Sequence, residues 1–166
     1  MNVEDVEDHE PLIDAVLRGH LDTVNILLDK GADVNMKDQM GMPVLTIASL
    51  NGSLDIVKTL LDNGADVNLR DNSGFTAIVM AALECHPDIV KLLLDNGADV
   101  QAVTDDGSTV LMWAALSGCA DTVRVLLDAG ADANVENNIH YSALQIAVDR
   151  HYTEIVRLLK EAGAKA

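Results

Sequence analysis

The chain of 166 residues repeats itself every 33 residues, and a fixed period of that length constrains the fold more than any composition can. "GADVN" begins at Gly31 and again at Gly64, then returns as "GADVQ" at Gly97, "GADAN" at Gly130 and "GAKA" at Gly163. Five copies account for the sequence, as units of about 5–37, 38–70, 71–103, 104–136 and 137–166, and leave no room for a linker or a second domain. A unit this short cannot bury an apolar face alone, so neighbours must stack to make a continuous core.

Two columns are unbroken through the copies: Ala15, Ala48, Ala81, Ala114 and Ala147, and Val24, Val57, Val90, Val123 and Val156. The valines, with Leu27, Leu60, Leu93, Leu126 and Leu159, fall at i and i+3 and predict one apolar helical face. The alanines belong to an earlier helix and suit close helix approach. Gly19, Gly52 and Gly118 mark a turn between the two helices, and the glycine of "GAD" stands where a helix ends with positive φ. Each unit therefore reads as helix, turn, helix, loop. About half the residues are apolar, but the aromatics are one Phe, one Trp and two Tyr, so the core must be aliphatic.

Unit three carries Asp71, Gly74, Thr76, Ile78, Ala81 and Ala82, then Ile89, Val90, Leu93 and Leu94, then "GADVQ". These residues resemble the ankyrin repeat family, with its D-x-x-G-x-T-P-L-H-x-A-A, G-H-x-x-I-V-x-x-L-L and G-A-D-V-N segments. The resemblance covers nearly the whole chain. It implies an all-α solenoid of stacked helix-turn-helix units with β-turn fingers, and protein binding as the usual activity. Some positions depart from it. The family's His in T-P-L-H is replaced by Ile13, Thr46, Val79, Met112 and Gln145, Pro43 takes the Thr position of unit two, and His140 and His151 replace both turn glycines of unit five. The ends read as caps: an acidic, poorly matching start precedes Pro11 and Leu12, and Lys160, with Arg157 and Glu161, replaces the Leu of the other units. The expectation is of a complete array.

A formal charge of -16 argues against nucleic acid and against an anionic membrane surface, and favours a partner with a basic surface. "MNVEDVEDHE" is acidic where a secretory signal is basic and then apolar, no apolar run approaches a membrane span, and two cysteines make no disulfide framework; together these point to the cytosol. Much of the acidity is written into the repeat. Asp22, Asp55, Asp88, Asp121 and Glu154 open each second helix, Asp29, Asp62, Asp95, Asp128 and Glu161 form another column, and Asp33, Asp66, Asp99 and Asp132 sit in the "GAD" loop. Helix-dipole and loop duties are the expected explanation.

The resemblance places partner contacts on the fingers and on the inner face of the first helices. Carried over unit by unit, the candidate binding residues are Met40, Met42 and Leu50; Arg70, Asn72, Phe75 and Leu83; Asp105, Asp106, Trp113 and Leu116; and Ile139, Tyr141 and Arg150. Phe75, Trp113, Tyr141, Met40 and Met42 are the expected anchors, because interface hot spots favour aromatics and Met adapts its shape to a partner. Leu50, Leu83 and Leu116, just before the turn, fit either the groove or the core. The reading is of a monomeric, non-catalytic scaffold, adaptor or stoichiometric inhibitor without a cofactor. Asn35, Asn68 and Asn134 match positions hydroxylated in some resembling proteins.

Chemistry would need convergent groups, and no phosphate loop or dinucleotide fingerprint is present. The remaining candidate is "AALECHPDIV", where Cys85 stands at the turn position of Gly19, Gly52 and Gly118, next to His86. Cys85, His86, Cys119 and His151 line one edge of three successive units, and the alternative function is metal binding or a thiol-dependent activity there. Units packed ~10 Å apart argue against ligands ~2.0–2.3 Å from one zinc, and against a Cys85–Cys119 disulfide, which needs Cα atoms within ~7 Å.

Overall fold

A computed structural model describes residues 11–165. The expected cap before Pro11 lies outside them. Five helix pairs follow one another: α1 (Pro11–Leu17) with α2 (Leu21–Asp29), α3 (Val44–Leu50) with α4 (Leu54–Asp62), α5 (Ala77–Leu83) with α6 (Pro87–Asp95), α7 (Val110–Ser117) with α8 (Ala120–Asp128), and α9 (Ala143–Asp149) with α10 (Thr153–Glu161). The odd-numbered helices stack on one another as an inner layer, and the even-numbered helices form the outer layer behind them. The only ladder pairing among the described residues is isolated bridges, Lys37 with Pro43, Val103 with Thr109 and Glu136 with Ser142, which close fingers between units. The architecture is the all-α repeat solenoid expected from the period.

The unbroken columns are the core. All five alanines are buried, and Val24, Val57, Val90 and Val123 are fully enclosed, as are Leu60, Leu93, Leu126 and Leu159. Val156 and Leu27, in the terminal units, are only partly buried. Alanine is needed where inner helices approach closely, while each enclosed Val or Leu contributes about 1.5–3 kcal/mol. The inner helices are short and apolar nearly all round, as in α7, because neighbours cover them on several sides.

Local chemistry starts and stops the elements. The glycines of the "GAD" loops have φ of 85° to 89°, so the expected positive-φ helix ends are present. Asp33, Asp66, Asp99 and Asp132 each accept from the backbone N–H two residues on, at 2.8 to 3.0 Å. The next side chain ties units together: Asn68 accepts from Asp99 N–H at 2.9 Å and donates to Gly97 O at 3.1 Å, and Gln101 and Asn134 repeat the pattern one and two units later. Asp22, Asp55, Asp88, Asp121 and Glu154 do open the outer helices. The column from Asp29 to Glu161 instead ends those helices, where a carboxylate opposes the dipole. That column adds charge without adding helix stability. At the C-terminus, Arg157 pairs with Glu154 and with Glu161 at 2.8 and 2.7 Å.

The expectation that Cys85 and Cys119 lie too far apart is overturned. Their Cα atoms are 5.2 Å apart and the sulfurs are bonded. Cys119 lies 34 residues after Cys85, one residue past the equivalent position. That extra residue decides the geometry, because in units three and five too the side chain following the turn reaches back over the turn of the preceding unit. A Cβ added to Gly52 would lie 2.6 Å from the His86 ring, and one added to Gly118 would lie 2.9 Å from the Tyr152 ring. A distance between helix axes does not measure the distance between turns offset by one residue.

Candidate functional site

Four fingers line one edge of the inner layer, and each is closed by a clasp. Asp38 accepts from Met40 and Met42 N–H at 2.9 and 2.8 Å, Asp71 from Ser73 and Phe75 N–H at 2.8 Å, and Asn137 from Ile139 and Tyr141 N–H at 3.2 and 3.0 Å. In the fourth unit Thr104 holds the clasp position, and Asp106, two residues later, accepts from Ser108 N–H instead. Partial burial works to raise the Asp106 pKa, but hydrogen bonds from Thr104 and Ser108 outweigh it and leave it below the ordinary carboxylate value.

Neighbouring fingers are linked by several of the expected contact residues. Arg70 donates to Val103 O at 2.9 Å and meets Asp105 at 3.3 Å, and Asn72 donates to Met40 O at 2.9 Å. Asp105 N–H in turn donates to Ser73 O at 3.2 Å. These polar groups hold the finger row in order.

The apolar candidates divide into two groups. Phe75 is partly buried, with its ring centroid 5.1 Å from that of Trp113, so it makes a packing contact between units three and four. Trp113 Nε1 donates to Thr104 Oγ1 at 3.2 Å, which holds the indole beside Phe75 with the two ring planes tilted by 48°. Met42 is partly buried against the core, while Met40, at 74% exposure, stands free at the first finger. Leu50, Leu83 and Leu116 are all half-buried, between the two roles open to them.

At the fourth and fifth units the structure gathers the rest. Asp106, Trp113, Leu116, Ile139, Tyr141 and Arg150 line one groove of about 280 Å³. Ile139 is 71% and Tyr141 40% exposed, so the outer lip is apolar and open. The carboxylate of Asp149, by hydrogen bond and by charge, holds the Tyr141 phenol above its ordinary value. Met112, Asn137 and Ile146 complete the walls and were not singled out by the sequence. Ile146 had a readable signal, since it lies one period after Trp113 in the same inner-helix column.

On the turn edge Cys85, His86 and Pro87 border a cleft of about 230 Å³. Among the described residues no group of three or more His, Cys, Asp or Glu is placed to hold a metal ion. With the two sulfurs joined, neither cysteine is free to act as a ligand or a nucleophile.

A family model described as ankyrin repeats (3 copies) matches residues 12–104 and 78–166, which together span nearly all of the chain. The chain belongs to the ankyrin repeat family. No curated protein matches it. Ankyrin repeats generally serve as protein-interaction modules, and the family is typically not enzymatic. No helix among the described residues is long and apolar enough to cross a membrane.

Proposed function

We propose that this ankyrin array is a non-catalytic module that binds a protein partner in the groove between its fourth and fifth units, extending along the fingers to Met40. The groove carries the reading: an apolar lip of Ile139 and Tyr141 over a floor containing Trp113, Leu116 and Ile146, bordered by the charges of Asp106, Asp149 and Arg150. Such a surface suits an aliphatic or aromatic anchor on the partner, flanked by a cation. The formal charge of -16, and the acidic column that gives the outer helices no stability, support a basic partner. A monomer in the cytosol would act by occupying that partner's surface, as an adaptor or a stoichiometric inhibitor.

Affinity capture from the native cell, quantified by mass spectrometry, tests this with three baits. Proteins enriched on the wild type should fall about tenfold or more on an Ile139→Ser/Tyr141→Ala bait, as expected on losing interface anchors. They should persist on Ile26→Ser, which alters an exposed apolar residue of the outer layer. Undiminished recovery on the groove double variant would sink the proposal.

A further inference from the structure

The turn residues of the five units are Gly19, Gly52, Cys85, Gly118 and His151, and all have φ between 59° and 78°. Left-handed backbone costs a non-glycine residue, so Cys85 and His151 are the exceptions to explain. His151 lies in the α9–α10 turn, and among the described residues no later unit lays a side chain across it. Over Gly52 and Gly118 the next unit lays an aromatic ring, and a Cβ would collide with it. Over Cys85 the next unit lays Cys119. The two departures from the repeat therefore occur as a matched pair, at the one junction where they can bond.

The two sulfurs stand in different surroundings. Cys85 is exposed at the turn, whereas Cys119 is 6% exposed and occupies the N-cap of α8, a nine-residue helix. An oxidant can reach Cys85 and cannot readily reach Cys119. The junction they span is also crossed at the finger edge by the Phe75–Trp113 contact.

We propose that Cys85 and Cys119 form a reversible redox staple between the third and fourth units, closed by exchange with a low-molecular-weight disulfide. In a reducing compartment the pair stands as two thiols. The Cys85 thiolate, having lost its proton to solvent, attacks one sulfur of the small disulfide, breaks its S–S bond and releases one small thiolate, leaving a mixed disulfide on Cys85. The Cys119 thiolate, its own proton also lost, then attacks Cys85 Sγ, forms the internal bond and expels the second small thiolate. The protein loses two electrons and two protons, and the small disulfide takes them up as two thiols. With the bond closed the Cα atoms lie 5.2 Å apart, within the range a disulfide needs, so the stacked units accommodate the staple. The staple closes a 34-residue separation and restricts the unfolded chain, while the reduced form keeps the left-handed cysteine with no bond in return.

The test uses the full chain in mixtures of reduced and oxidised glutathione, read by thiol alkylation and intact mass. The wild type should lose both thiols together, with a mass lower by two hydrogens and no adduct. Cys119→Ser should trap a single glutathione on Cys85, and Cys85→Ser should take up far less. In thermal unfolding the oxidised wild type should melt roughly 5–10 °C above the reduced. Cys85→Gly, which restores the residue of the sister turns, should melt between the two. Stable adducts on both cysteines, disulfide-linked dimers as the main product, or a Cys85→Gly midpoint below that of the reduced wild type would overturn the proposal.

Discussion

Gly118 and Gly97 both have left-handed backbone, with φ of 78° and 88°, but they differ in what lies above them. Gly97 faces open space, whereas the Tyr152 ring lies over Gly118. Alanine at Gly97 should cost about 1 kcal/mol, the conformational penalty alone. Alanine at Gly118 should cost about 1 kcal/mol more, because the half-buried ring has to move. Urea unfolding of the two variants checks this, and equal losses would show that the ring yields freely. At this scale the sequence was partly legible. Repetition of glycine marked the turns, but the rings over Gly52 and Gly118 come from residues 34 positions later. Only the stacked units reveal that neighbour, which at Cys85 is Cys119. The polar contact residues show the same limit: Arg70 and Asn72 fall at finger positions open to a partner, yet their bonds run to the adjacent fingers.

The helices form for reasons that lie within each unit, and their starts vary in quality. In the fifth unit Ser142 and Gln145 form a reciprocal cap: Ser142 N–H donates to Gln145 Oε1 at 2.7 Å, and Gln145 N–H to Ser142 Oγ at 3.3 Å. Met112 with Thr109 makes a weaker version through sulfur. Gln145, which stands where the family has its His, thus closes a reciprocal cap with Ser142. The Thr76 hydroxyl, by contrast, is buried without a partner. Gln145→Ala should therefore lower stability by about 1 kcal/mol, and Gln145→Glu should retain most of it. Thermal melts of the two variants separate capping from loss of bulk, since both substitutions keep the helix former. The order of helix, turn, helix and loop was readable from the period and the glycines. The cap was not, because whether a side chain at this position bonds back depends on its rotamer in the finished turn.

Across the described residues each helix pair packs chiefly on the pairs next to it, so stability is a sum of unit and junction contributions. The side-chain ladder along the "GAD" loops is one of the junction contributions. Asn68→Ala removes two of its bonds at once and should cost about 1–2 kcal/mol. Amide hydrogen exchange should then show α2 and α4 losing protection ahead of α8, as the array divides at that junction. Uniform loss along the chain would mean that the ladder does not couple the units. The sequence by itself determined the period, the order of helix, turn, helix and loop, the aliphatic core and the family, because each of these follows from residues that recur within one unit. Only the tertiary structure decided which side chains meet between units: the sulfur pair, the rings over the turns, the Phe75–Trp113 contact and the groove at the fourth and fifth units. Those contacts depend on the offset between stacked turns and on the direction of each side chain, and a one-dimensional pattern carries neither.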